Sequence, residues 1–118
     1  VATVTDVSPE LIAVRVQCGD PLDEVVLRSY CTGAVHMALG WVTSESLAIG
    51  EGGQVTDLTI RSYGIVRPAG MPRVDVEVVD DAAAPVCGSD AVFAATALAV
   101  WRHQGLGEVW PTGVAFRP

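Results

Sequence analysis

The chain has 118 residues, of which 50% are apolar and 18% charged, and its net charge is −7. One domain covering residues 1–118 is expected, because ~100–150 residues is the common size of a single-core unit, and this much apolar side chain excludes global disorder. All seven basic residues are arginines (Arg15, Arg28, Arg61, Arg67, Arg73, Arg102 and Arg117) scattered along the chain, which excludes a basic patch for nucleic acid or an anionic membrane.

No apolar run reaches the ~20 residues of a membrane span, and the first ten residues lack the basic start and apolar core of a signal peptide. A soluble, cytoplasmic protein is the expectation. Cys18, Cys31 and Cys87 are odd in number and form no C-x-x-C pair. They therefore read as reduced, structural thiols rather than a disulfide framework or a zinc site.

In chain order, Leu11–Val16 is a β-branched run closed by Cys18-Gly19-Asp20-Pro21, a strand followed by a turn. From Leu22 to Leu47 there is no proline, and Val25, Val26, Tyr30, Ala34, Met37, Leu39 and Trp41 recur at three- and four-residue spacing, predicting a largely buried helix. Asp23 and Glu24 fall in its first turn, where the helix dipole favours acids. Gly33 and Gly40, seven apart on one face, would admit a close neighbour. Gly50–Gly53 is a loop, and Thr56–Tyr63 alternates like a half-buried strand through Leu58 and Ile60. Arg67–Pro72 is an extended connection. Val74, Val76 and Val78 then alternate with Asp75 and Glu77, a strand with one wet face. Asp80–Pro85 is a turn, Asp90–His103 a second apolar helix with Ser89 or Asp90 as N-cap and Gly105 past its end, and Glu108–Phe116 a short last strand. The order β-α-β-β-α-β predicts an α/β (α+β) two-layer sandwich of about four strands with both apolar helices on one face.

Several of these pieces, in order and at matching spacing, resemble the C-terminal part of the molybdenum-cofactor subunit of the xanthine dehydrogenase and aldehyde oxidase family. Gln17-Cys18-Gly19-Asp20-Pro21-Leu22-Asp23-Glu24 follows a strand as the family's D-x-G-x-x-I-N-P turn does. Tyr30-Cys31-Thr32-Gly33-Ala34-Val35-His36-Met37-Ala38-Leu39-Gly40 is similar to its Q-x-E-G-G/A-x-x-Q-G-L-G helix. Tyr63-Gly64-Ile65-Val66 and Met71-Pro72-Arg73-Val74-Asp75-Val76-Glu77 match its Y-x-I-P and M-P-x-I-x-V-x segments, and the Ala-rich helix and Trp110-Pro111-Thr112 complete the series. The resemblance implies molybdopterin and hydroxylase chemistry. However, Tyr30 stands where the family has its cofactor-contacting glutamine, and Met37 or His36 stands at the second glutamine. The family's catalytic glutamate, just before the Ala-rich helix, falls on Val86-Cys87-Gly88-Ser89-Asp90. Gly105-Leu106-Gly107-Glu108 imitates that motif in letters but follows the helix.

Three readings stay open. The first is a small xanthine dehydrogenase-like domain without molybdenum redox chemistry and without a cofactor or metal. It would bind or transform a small organic molecule by acid/base chemistry of the isomerase, cyclase or lyase kind, in specialised metabolism. The second is a small subunit completing a molybdenum hydroxylase with separately encoded chains, in which case molybdopterin is its cofactor. The third is a non-catalytic interaction module. For the first, the edge where the first helix passes the loop before the second is expected to gather Asp90, His36 and Tyr30 as catalytic groups, with Tyr30, Thr32, Trp41 and Ser89 binding the substrate. The bland alternatives are an N-cap for Ser89 and Asp90, a packed histidine for His36, a dipole-complementing cap for His103 and core packing for the tryptophans. A piece of this kind exposes apolar surface, so a homodimer is expected.

Overall fold

The computed structural model describes residues 1–56, 59–114 and 116. Its elements are β1 (Ala2–Val7), β2 (Leu11–Val16), α1 (Glu24–Thr43), β3 (Arg73–Val78) and α2 (Ser89–His103), with a 3-10 turn at Pro68–Gly70. β2 is the central strand. It pairs antiparallel with β1 across the Ser8–Glu10 turn, where Ser8 N–H donates to the Leu11 carbonyl and Leu11 N–H to the Ser8 hydroxyl. β2 also pairs parallel with β3 in a register that sets Val14 beside Val76. A parallel pair needs a crossover, and α1 supplies it.

Alternation sorts the sheet into two faces. Ile12, Val14 and Val16 are buried, with Val4, Val74, Val76 and Val78 packed around them on the same side. Cys31, Ala34, Val35, Ala38, Leu39 and Val42 of α1 and Val92, Ala97 and Val100 of α2 close over them. Each fully buried valine or isoleucine contributes about 1.5–3 kcal/mol. α1 packs beside β3, α2 beside β1, and the two helices lie against each other. The far face, with Thr3, Arg15, Gln17, Asp75 and Glu77, is exposed. The expected two-layer sandwich, with both helices on one face, is found.

Three details differ from the sequence reading, leaving three strands instead of about four. The segment Ala2–Val7 is a strand the sequence did not announce. Only Ala2 and Val4 alternate there, and a bulge between Val4 and Asp6 breaks the period. The strand expected over Thr56–Tyr63 is absent among the described residues; Asp57 and Leu58 lie outside them, and residues 60–64 form turns. The Thr59 and Ser62 hydroxyls share a hydrogen bond of 2.8 Å while Ser62 N–H returns to the Thr59 carbonyl, local chemistry that outcompetes a ladder. The described part of the expected tail strand is also irregular. It is tied to the end of α1 by Gly113 N–H on the Thr43 carbonyl (2.7 Å) and Trp110 Nε1–H on the Trp41 carbonyl (2.7 Å), while Ala115 falls outside the described residues.

Candidate functional site

α1 starts where Asp23 caps it, its carboxylate accepting from the Val25 and Val26 amides at 2.8 and 3.1 Å. It stops at Thr43, four residues short of Leu47, because the Ser44 and Glu45 amides both close on the Gly40 carbonyl and the Ser44 hydroxyl donates to the Gly64 carbonyl. Between those ends, one face of the helix carries Thr32 and His36 towards the extended segment 66–74.

Helix and segment together form a groove of about 460 Å³ walled by Pro68, Met71, Pro72 and Val74, with Thr32 and His36 as its polar members. His36 Nε2 lies 2.8 Å from the Val66 carbonyl. A carbonyl only accepts, so Nε2 carries the hydrogen, which leaves Nδ1 of the neutral ring as an acceptor. The Thr32 hydroxyl donates back to the Arg28 carbonyl at 2.8 Å and so presents lone pairs. Gly33 lies between them, with open space where a Cβ would be.

The other expected site residues are dispersed. Tyr30 lines a separate groove of about 220 Å³, with Pro21, Leu22, Val26, Pro85 and Val86. Trp41 belongs to an aromatic cluster, its ring centroid 5.4 Å from Phe93 and 4.8 Å from Trp110. The Ser89 hydroxyl is 3.4 Å from Cys87 Sγ, and Asp90 is exposed in the first turn of α2. Neither Ser89 nor Asp90 is the N-cap of α2. That position is Gly88, which makes no side-chain cap bond and has Val16 and Cys18 where its Cβ would be. The structure therefore joins Thr32 to His36 and sets Tyr30 in a different groove.

One grouping was invisible in the sequence. Cys18 accepts the Val86 amide through its carbonyl and packs under Gly88, placing it beside Cys87. Cys31 is buried close by. Burial pushes its thiol pKa up, the neighbouring Cys18 and Cys87 push it further, and Arg28 opposes them. Spacings of 13 and 56 residues carry no local signal for this. Among the described residues no group of three histidines, cysteines or carboxylates is placed to hold a metal ion.

Molybdopterin, which the resemblance implies, carries a phosphate and calls for cationic or N–H donors around it. Neither groove is lined by an arginine, and the only charged group lining the Tyr30 groove is the carboxylate of Asp23. Arg28, the nearest cation on α1, is committed to Glu24 at 2.6 Å and to the Val76 carbonyl. These residues do not fit that group.

No family profile and no curated protein matches the sequence. Solved structures do match in fold. Quinoline 2-oxidoreductase from Pseudomonas putida 86 superposes with a TM-score of 0.66 at 18% identity, over 77% of this chain and 12% of its own. The Cu,Mo-CO dehydrogenase in its carbon monoxide-reduced state gives 0.69 at 9% identity, over 89% of this chain and 15% of its own. Reconstituted CO dehydrogenase from Oligotropha carboxidovorans gives 0.69 at 8% identity with the same coverage. The chain thus shares the fold of a part of each of these proteins. It spans about an eighth to a seventh of the proteins it resembles. No helix of the described residues is long and apolar enough to cross a membrane.

Proposed function

We propose that this protein binds, and transforms by cofactor-free acid/base chemistry, a small and largely apolar organic molecule held in the Thr32–His36 groove. The observation that carries the reading is the imidazole that the Val66 carbonyl orients through Nε2 in a mostly apolar setting. Val66 holds the Nε2 hydrogen, so Nδ1 accepts a hydrogen bond or a proton from a ligand that offers an N–H or O–H. Pro68, Met71, Pro72 and Val74 take its apolar body, as the walls of most small-molecule sites do. In this reading Tyr30, Trp41, Ser89 and Asp90 take no part in the site.

Quinolin-2(1H)-one, a flat apolar bicycle with one N–H, and quinoline, the same bicycle without it, make a suitable probe pair for calorimetry. Saturable binding of the first, weaker binding of the second, and a loss of at least about tenfold in affinity in His36→Ala (~1.4 kcal/mol) with an unchanged circular dichroism spectrum are expected. Equal affinity of the wild type and His36→Ala for the N–H probe, or no saturable binding of it, would defeat the reading.

A further inference from the structure

α1 carries no Asp, Glu, Lys or Arg between Ser29 and Ser44, and α2 none between Ala91 and Trp101. A helix layer over a sheet normally turns a charged face to water. This one turns out Val26, Tyr30, Met37 and Trp41, which are 48, 67, 54 and 47% exposed, beside Leu98 of α2 at 51%. The indole N–H groups of Trp110 and Trp101 are spent on the Trp41 and Gly107 carbonyls, which leaves apolar ring surface at one end of the face. Aromatic residues and methionine without charge are the composition of a buried interface core.

The order of residues along α1 identifies the occupant. The outward positions Val26, Tyr30, Gly33, Met37 and Trp41 are nearly symmetric about the Gly33–Ala34 peptide. A second α1 laid antiparallel across that point would set Tyr30 against Met37 of the second copy and Val26 against Trp41 of the second copy, each pair occurring twice. Gly33 is the notch at the centre: nothing lies within 4 Å of where its Cβ would be, whereas at Gly40 that space is filled by Glu45. Antiparallel crossing also places Asp23 and Glu24 opposite Ser44 and Thr43 in the last turn of the other helix, which holds no Asp or Glu of its own. A 20-residue helix is about 30 Å long, and two helices side by side make a face about 20 Å wide. That is roughly 600 Å² before side-chain relief, near the ~800 Å² per partner of a stable association.

We infer that the α1–α2 face is the interface of an isologous homodimer with its two-fold axis at Gly33. The chain of residues 1–118 should sediment at about twice its 12.3 kDa mass across roughly 1–100 µM. Met37→Glu puts two carboxylates into the contact and should raise the dimer dissociation constant at least about a hundredfold with its helical spectrum retained. Thr3→Glu, on the exposed sheet face, should leave the mass unchanged. Gly33→Cys in a Cys87→Ser background should give an oxidant-induced intermolecular disulfide, which tests the axis even where Met37→Glu fails to fold. A wild-type chain that stays monomeric at 100 µM overturns the inference and leaves the face to a different polypeptide. A dimer that survives Met37→Glu but not Thr3→Glu, or no cross-link at residue 33, overturns it equally.

Discussion

At Cys31 the chain has placed an ionisable group where only its neutral form is welcome. The side chain is fully buried, and burial, with Cys18 and Cys87 behind it, raises its pKa above the ordinary value of 9.0. In the unfolded chain the thiol ionises at that ordinary value, while in the folded chain it keeps its proton. Between the two values the unfolded state binds fewer protons, so stability is complete below about pH 9 and falls as the pH rises towards the folded pKa. Urea unfolding of reduced protein from neutral to strongly alkaline pH should show this decline. Cys31→Ala, less stable throughout because of the cavity it leaves, should show a shallower one. Identical slopes would mean that the alkaline loss arises elsewhere.

At the scale of elements, the two helix starts make an internal contrast. α1 begins at a carboxylate that satisfies two amides, while α2 begins at Gly88 with no side-chain cap. Asp23→Ala should therefore cost about 0.5–2 kcal/mol, several degrees in melting temperature. Asp90→Ala, which loses only a charge–dipole term at an exposed site, should cost about 0.3–1 kcal/mol. Thermal melts of the two variants decide it, and a larger cost at Asp90 would show that the sequence expectation of a cap there captured something the geometry lacks.

The same scale explains what could be read from the sequence. Long periodic segments betrayed themselves: α1, α2 and the alternating Val74–Val76–Val78 strand were all legible, because a buried face leaves a pattern along one element. β1 was hidden, since two apolar positions and a bulge are too few to set a period. The strand expected at Thr56–Tyr63 failed because hydroxyl turns there compete with the ladder. For the site, Thr32 and His36 were legible as neighbours on a helix. Their partners were not, because the Val66 carbonyl lies 30 residues away in sequence and nothing local marks Pro68–Pro72 as a wall. The assembly of Tyr30, Ser89 and Asp90 with His36 rested on fold analogy, and the helix instead points Tyr30 and His36 into different grooves.

At the scale of the molecule, the two faces have opposite chemistry. The open sheet face is polar and carries exposed ion pairs, Arg15–Glu77 at 2.9 Å and Arg73–Asp75 at 2.8 Å, worth little individually but well solvated. The helix layer carries no Asp, Glu, Lys or Arg between Ser29 and Ser44 or between Ala91 and Trp101. Between the two faces, at the β3 edge, lies a groove that combines an apolar wall with the His36 imidazole.

That distribution bears on molybdenum. A pterin phosphate needs cations, and no arginine lines either groove; Arg15 and Arg73 are on the open sheet face, and Arg28 is bound to Glu24 and the Val76 carbonyl. Tyr30 stands where the resembled family has its first glutamine and Met37 or His36 at the second, and Tyr30 and Met37 are among the exposed side chains of the helix face, which two copies of the chain would cover. Protein purified from cells grown with ample molybdate should therefore contain well under one molybdenum per chain by elemental analysis. Adding molybdate to the growth medium should change neither its melting temperature nor its affinity for the N–H probe, since a bound cofactor would stabilise the folded state by mass action. Stoichiometric molybdenum that survives gel filtration, or a melting temperature that rises with molybdate supply, would return the chain to the hydroxylase reading and remove the basis for cofactor-free chemistry at His36.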